Sequence, residues 1–370
     1  MSGDLAARLD PVLARVSAAA TPGTQAALLR DGELVWTGTY GVADVDATTP
    51  VSDGTVFCLA SLGKPLLAAL ALSEVERGRV ALDEPLSVAL GDGLPGAGVV
   101  TLRMLLTHTS GYPDLYEAAE VMALMPPTSS GGGSAYDPDR PFTWEMLAPA
   151  LRDPVEPGSH WAYSNTGYII VAEVLTRVLG GTESFAEEWT EFADAVGGVL
   201  PLTSDVLTFD RSAVALRRLA HGYEQLDNGS WVDPYAAHQP SGVPADLFGL
   251  PFGDGLFGGT AVGAAVFLDG LLVRRVLLDP AMVDLMTAIT PQAAAAVDAP
   301  DPDLRTYGMG MFQMTVRDAV WVGHRGSYAG FTAAGASCLA TGETLVVLSN
   351  ALTEARPALV VWRELAGRLT

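Results

Sequence analysis

The chain has 370 residues, 49% hydrophobic and 17% charged. That is enough apolar side chain for one large core or two lobes, and too much for wholesale disorder. Lys and Arg total 21 against 43 Asp and Glu, a net charge of -22, which excludes the cationic face a nucleic-acid partner needs.

Residues 1–23 are predicted as an amphipathic helix, because Leu5, Leu9, Leu13 and Val16 recur at helical spacing. Asp4, Arg8, Asp10 and Arg15 interrupt any apolar run there, so no signal peptide is expected. No uncharged apolar run reaches the roughly 18 residues a membrane helix needs. Residues 25–30 and 33–39 read as two strands joined at Asp31-Gly32, a strong hairpin signal. Residues 61–77 read as a helix stopped by Gly78, with Pro65 acceptable only in its first turn. Further helices are expected at 102–108, 144–151, 167–179 and 261–277. A Pro/Gly/Ser-rich loop, either a lid or plain surface, is expected at 126–141, and irregular chain at 200–251. From Tyr307 the pattern turns to strands, at 308–315, 319–323, 327–338 and 344–350, and 355–369 closes as a helix. Strands at both ends with helices between predict an α/β (α+β) fold, one sheet built from both chain ends and packed by terminal helices, with an inserted helical lobe. The expected division is 1–78 with 245–370 as the sheet domain and 79–244 as the insertion.

The chain contains 20 arginines and a single lysine, Lys64. Arginine can replace a surface lysine, but not a lysine whose amine must lose its proton. Lys64 is therefore a functional candidate before any motif is invoked. It closes Ser61-Leu62-Gly63-Lys64, where residues three apart on a helix share a face and the amine can reach the hydroxyl. A helix N-terminus there also favours developing negative charge. Tyr163-Ser164-Asn165 supplies a phenol that can relay protons beside a lysine, and an amide that can both donate and accept. His324-Arg325-Gly326-Ser327 lies between two β-prone runs. Gly326 removes a side chain where a substrate backbone can pair, and the Ser327 amide can join that of Ser61 as an oxyanion hole. Read alone, His324 is more often a structural histidine.

These three elements, in this order, resemble the serine β-lactamase/D-alanyl-D-alanine-carboxypeptidase superfamily, class C-like, whose pattern is S-x-x-K, Y-x-N, K/H-x-G. Leu105-Leu106-Thr107-His108-Thr109-Ser110-Gly111 and Gly308-Met309-Gly310 resemble further segments of that family. The resemblance implies a β-lactamase/penicillin-binding-protein-like fold and a set of roles. Ser61 is the acylated nucleophile. Lys64 and Tyr163 share general-base work. Asn165 holds a substrate amide or orients Lys64, and His324 assists the tyrosine electrostatically. The sequence departs from the pattern at Arg325, where Thr or Ser is usual. An arginine there either grips a substrate carboxylate or points away from the cleft. Gly255 to Ala261 matches its expected segment only in part.

The reading expected from these residues is a serine enzyme that cleaves a small-molecule ester or amide and passes the acyl group to water, or to an amine or alcohol. A D-peptidase or β-lactamase is the alternative, and a silent binding module on the same fold the remote one. No cofactor is expected. The histidines lack metal-ligand spacing, so no metal is expected, nor a membrane partner. Cys58 and Cys338 do not make a disulfide framework and read as reduced, buried thiols of a cytoplasmic protein.

Overall fold

Alternation along two strands from opposite ends of the chain sets the architecture. In β1 (Gly23–Arg30), Ala26 and Leu28 face one apolar layer, while Ala27 and Leu29 face another. In β7 (Glu343–Ser349), Leu345 and Val347 join the first layer, and Val346 and Leu348 the second. Every residue of β7 is buried, so both faces of the sheet centre must be covered.

The two strands pair antiparallel at the middle of a seven-stranded sheet. The other strands are β2 (Glu33–Asp44), β3 (Thr49–Pro50), β4 (Phe312–Val316), β5 (Ala319–Tyr328) and β6 (Phe331–Cys338), in the order β3-β2-β1-β7-β6-β5-β4. One face carries the terminal helices α1 (Ser2–Ala18) and, at the far end of the chain, Pro357–Leu369. Leu5, Leu9, Leu13 and Val16 are buried there with Val361, Trp362 and Leu365. Trp362 packs edge-on to Trp321 at 5.4 Å and donates its indole N–H to the Leu345 carbonyl at 2.9 Å. The other face carries α2 (Lys64–Glu76), largely apolar and buried as far as Glu74, with α3 (Leu102–Leu106), α4 (Asn165–Val178) and α5 (Ala261–Leu268) in the same core. This is an α+β fold with an antiparallel sheet, its strands taken from both chain ends.

This computed structural model describes residues 2–125, 133–136, 143–181, 184, 187, 188, 191, 192, 207, 208, 218–226, 228–233, 258–299 and 301–369. The expected loop at 126–141 and the irregular stretch at 200–251 lie largely outside the described residues. Several expected boundaries differ: the strand expected at 308–315 is Phe312–Val316, and the helix expected at 261–277 is α-helical over Ala261–Leu268 and π-helical over Asp269–Val273. The strands expected at 319–323 and 327–338 are divided elsewhere: β5 runs unbroken through His324-Arg325-Gly326-Ser327, and the chain turns at Ala329-Gly330. The helix expected from Ser61 begins at Lys64, preceded by a single 3₁₀ turn, Ala60–Gly63. Among the described residues, no helix is long and apolar enough to cross a membrane.

Candidate active site

Ser61 sits in that 3₁₀ turn, partly exposed between buried Ala60 and Leu62. Ala60 holds φ +47°, a strained value for a residue with a Cβ and one that recurs at functional sites. Pro65 is accommodated in the first turn of α2, where helical amides have no partner to lose. Lys64, the first residue of α2, is completely buried. Its Nζ donates to Ser61 Oγ at 2.9 Å and to Asn165 Oδ1 at 2.8 Å. The rings of Tyr163 and Tyr168 flank the amine, with centroids 5.2 and 5.4 Å away. Buried amines need such oxygen and π partners to offset lost hydration. The structure thus brings Ser61, Lys64 and Asn165 into direct hydrogen-bond contact, with Tyr163 against the amine.

Behind Tyr163 lies a buried chain of hydrogen bonds whose direction follows from donor and acceptor chemistry. The Ser164 backbone N–H donates to His108 Nδ1 at 3.2 Å, so the neutral ring carries its proton on Nε2. That nitrogen lies 3.1 Å from the Tyr307 hydroxyl. At the other end, His324 Nδ1 lies 2.5 Å from the Arg325 carbonyl, which only accepts, so His324 is protonated on Nδ1. Its Nε2 then accepts from the Tyr307 hydroxyl at 3.2 Å. Burial, then the Lys64 charge, holds both imidazoles well below the usual histidine range. Burial likewise pushes the Tyr307 and Tyr168 phenols well above theirs. His108 stacks on Tyr163 with ring centroids 4.3 Å apart. The resemblance implied electrostatic assistance to the tyrosine from His324. Its Nε2 is hydrogen-bonded to Tyr307 and its ring lies 6.2 Å from that of Tyr163, centroid to centroid.

This arrangement has a pH signature. Both histidines bind a proton more readily unfolded than folded, so their contribution is fully present above about pH 6.5 and is lost as pH falls toward the lower folded values. The slope approaches about 1.4 kcal/mol per pH unit for each ring. Urea unfolding between pH 7.5 and 5 should show it, and His324→Asn should remove roughly half the slope. An unchanged slope in that variant would mean that His324 is already charged in the fold.

Strand β5 approaches the nucleophile turn closely. A Cβ on Gly326 would lie 2.4 Å from the Leu59 carbonyl oxygen and 2.8 Å from the Ser61 amide nitrogen. Both contacts are rigid backbone, so only glycine permits the approach. Gly326→Ala should displace Ser61 and lower kcat/KM roughly 100-fold, the scale of a misplacement near 1 Å. Wild-type turnover by a folded variant would show that the contact yields. Ser327 follows on the same strand, exposed and opposite Thr332.

Arg325 is 7% exposed and stacks over Phe312 at 5.2 Å. It pairs with Asp301 at 2.5 Å and lies 3.7 Å from Asp303. Strand alternation sets its side chain on the face opposite the position a Gly326 Cβ would take against Ser61. Of the two expectations for Arg325, the one that turns it toward other partners fits this placement, and its guanidinium is already engaged by carboxylates.

Three residues of this constellation received no role from the sequence. His108 stood in a family-like segment and Tyr307 beside a G-x-G, both weak signals. Asp114 carried none. Its Oδ2 accepts from Asn165 Nδ2 at 2.8 Å and from the Asn165 backbone N–H at 3.1 Å. Among the described residues, no group of three His, Cys, Asp or Glu side chains is arranged to hold a metal ion.

Comparison with known proteins agrees with this fold. The chain is 34% identical over 187 residues to esterase EstB of Burkholderia gladioli, covering 48% of this chain and 47% of the esterase. It is 25% identical over 332 residues to penicillin-binding protein 4* of Bacillus subtilis, covering 86% and 66%. The matches thus span about half and about two thirds of those relatives. D-amino acid amidase from Ochrobactrum anthropi SV3, solved with L-phenylalanine amide, superposes with a TM-score of 0.77 over 99% of this chain and 98% of its own, at 23% identity. The family model described as Beta-lactamase matches residues 9–369, and the chain belongs to that family as a serine β-lactamase-like enzyme.

Proposed function

We propose that the protein forms an acyl-enzyme on Ser61 from a small-molecule ester or amide. The observation that carries this reading is Lys64 Nζ, fully buried and held between Ser61 Oγ and Asn165 Oδ1. Lys64 serves as the general base, taking the Ser61 proton while Oγ attacks the substrate carbonyl carbon. The carbonyl π pair moves onto oxygen, which the Ser61 and Ser327 amides stabilise. The tetrahedral adduct collapses, the bond to the leaving alcohol or amine breaks, and that group takes the proton by way of Tyr163. Water, or an amine or alcohol, then attacks the ester carbon and releases Ser61. Arg325 serves to hold β5 through Asp301 rather than to read substrate charge. The buried thiols of Cys58 and Cys338, which form no disulfide, fit a cytoplasmic setting. The sheet domain gives way at 78/79 to an inserted helical domain, whose expected far boundary at 244/245 lies outside the described residues.

The names of the relatives suggest esters and amino acid amides as candidate donors, beside β-lactams. Intact-mass analysis after incubation with short p-nitrophenyl esters, D- and L-amino acid amides and a β-lactam panel tests the proposal. A single acyl increment on Ser61 from an ester or amide, discharged by water or by added amine, is the expected result. Turnover without any increment or pre-steady-state burst, or an increment on another residue, would overturn it.

A further inference from the structure

Asn165 has a carboxamide whose two ends differ, and only one orientation helps Lys64. The amine donates, so it needs Oδ1 and is repelled by the amide NH2. Nothing in Asn165 itself selects that orientation, because the two differ by a half-turn about one bond. The selecting group is Asp114. Its carboxylate accepts only, and Asn165 Nδ2 donates to it at 2.8 Å, which sends Oδ1 toward Lys64 Nζ at 2.8 Å. The Asn165 backbone N–H donates to the same oxygen, and Asp114 Oδ1 accepts from the Tyr116 amide at 3.1 Å. The carboxylate is thereby fixed from three sides.

We propose that Asp114 is a positioning residue for acylation, acting on Ser61 through Asn165 and Lys64. This rests on the reading of Ser61 as the acylated nucleophile. Asp114 reaches the reacting atoms only through a relay from Asp114 Oδ2 to Asn165 Nδ2, across the amide to Oδ1, to Lys64 Nζ and then to Ser61 Oγ at 2.9 Å. The surrounding segment has a separate anchor. Thr166 Oγ1 donates to the Pro113 carbonyl at 2.7 Å and accepts from the Leu115 amide at 2.8 Å. Removal of the Asp114 carboxylate therefore releases the amide without detaching the loop.

A double-mutant cycle on the acylation rate tests this, read as the burst from a p-nitrophenyl ester that acylates the wild type. Asp114→Ala should slow acylation about 10- to 100-fold, the scale of a lost hydrogen bond to a charged group, with little change in KM. Asn165→Ala should cost a similar factor. The double variant should be within about threefold of Asn165→Ala alone, because the two residues act as one unit. Asp114→Asn keeps an acceptor but loses the bias between amide orientations, so it should fall between wild type and Asp114→Ala. The same cycle run with Asp114→Asn serves if the alanine variant does not fold. Losses that multiply in the double variant, or wild-type acylation by folded Asp114→Ala, would overturn the assignment. A wild-type enzyme that shows no burst and no adduct on Ser61 would instead overturn the acyl-enzyme reading.

Discussion

Ser61→Ala should leave a folded protein that turns over neither ester nor amide. The hydroxyl is partly exposed and is bound to Lys64 Nζ, so its removal opens little space in the core and stability should change by less than about 1 kcal/mol. The kinetic effect is of another order. Without Oγ no acyl bond can form, and what persists comes only from carbonyl polarisation and substrate binding. The loss in kcat should be at least about 10⁴-fold, as for serine nucleophiles generally. The check is steady-state kinetics beside a thermal melt. Activity within about tenfold of wild type, about 1.4 kcal/mol in barrier, would show that another group attacks the carbonyl.

Lys64→Arg should be as damaging as Lys64→Ala. Two independent reasons converge. Guanidinium cannot give up a proton at any working pH, so it cannot accept the one from Ser61. It is also larger and planar, and Lys64 occupies a fully buried site between two tyrosine rings, where overpacking costs about 1–3 kcal/mol. Both variants should lose roughly 10³-fold or more in acylation rate, and Lys64→Arg should also melt earlier. Should Lys64→Arg keep most of the activity, the lysine would act through its charge alone and Tyr163 would be the proton acceptor.

The contact between Ser61 and Lys64 was legible because it is local. A serine and a lysine three residues apart meet across one turn, and the arginine bias of the chain singled out the lysine. Gly326 was legible as a missing side chain, and the structure supplies the reason in the backbone of the nucleophile turn. What was not legible depends on contacts between distant segments. Asp114 meets Asn165 across 51 residues, and His108 reaches Tyr307 across 199. No pattern within either segment encodes such a partner. The polarity of the histidine chain was hidden too, since a tautomer is set by partners rather than by spacing. The strand break expected between 323 and 327 does not occur, because Gly326 stands in extended chain. Here it serves close packing, while Ala329-Gly330, three residues on, makes the bend. The period-2 pattern of β1 and β7 was the most readable part of the fold, because both faces of those strands bury apolar layers.

The burial of Lys64 has a consequence for the whole exterior. With the only lysine sealed inside, the positive charges of the surface are guanidinium groups, and no side chain outside offers a primary amine. Activated esters that acylate Ser61 are just the compounds that modify surface lysines in other proteins. This enzyme presents them with almost nothing to react with except its nucleophile and its N-terminus. An N-hydroxysuccinimide ester should add a label at Lys64 only when the domain opens, so the sole lysine doubles as a single-site counter of unfolding events.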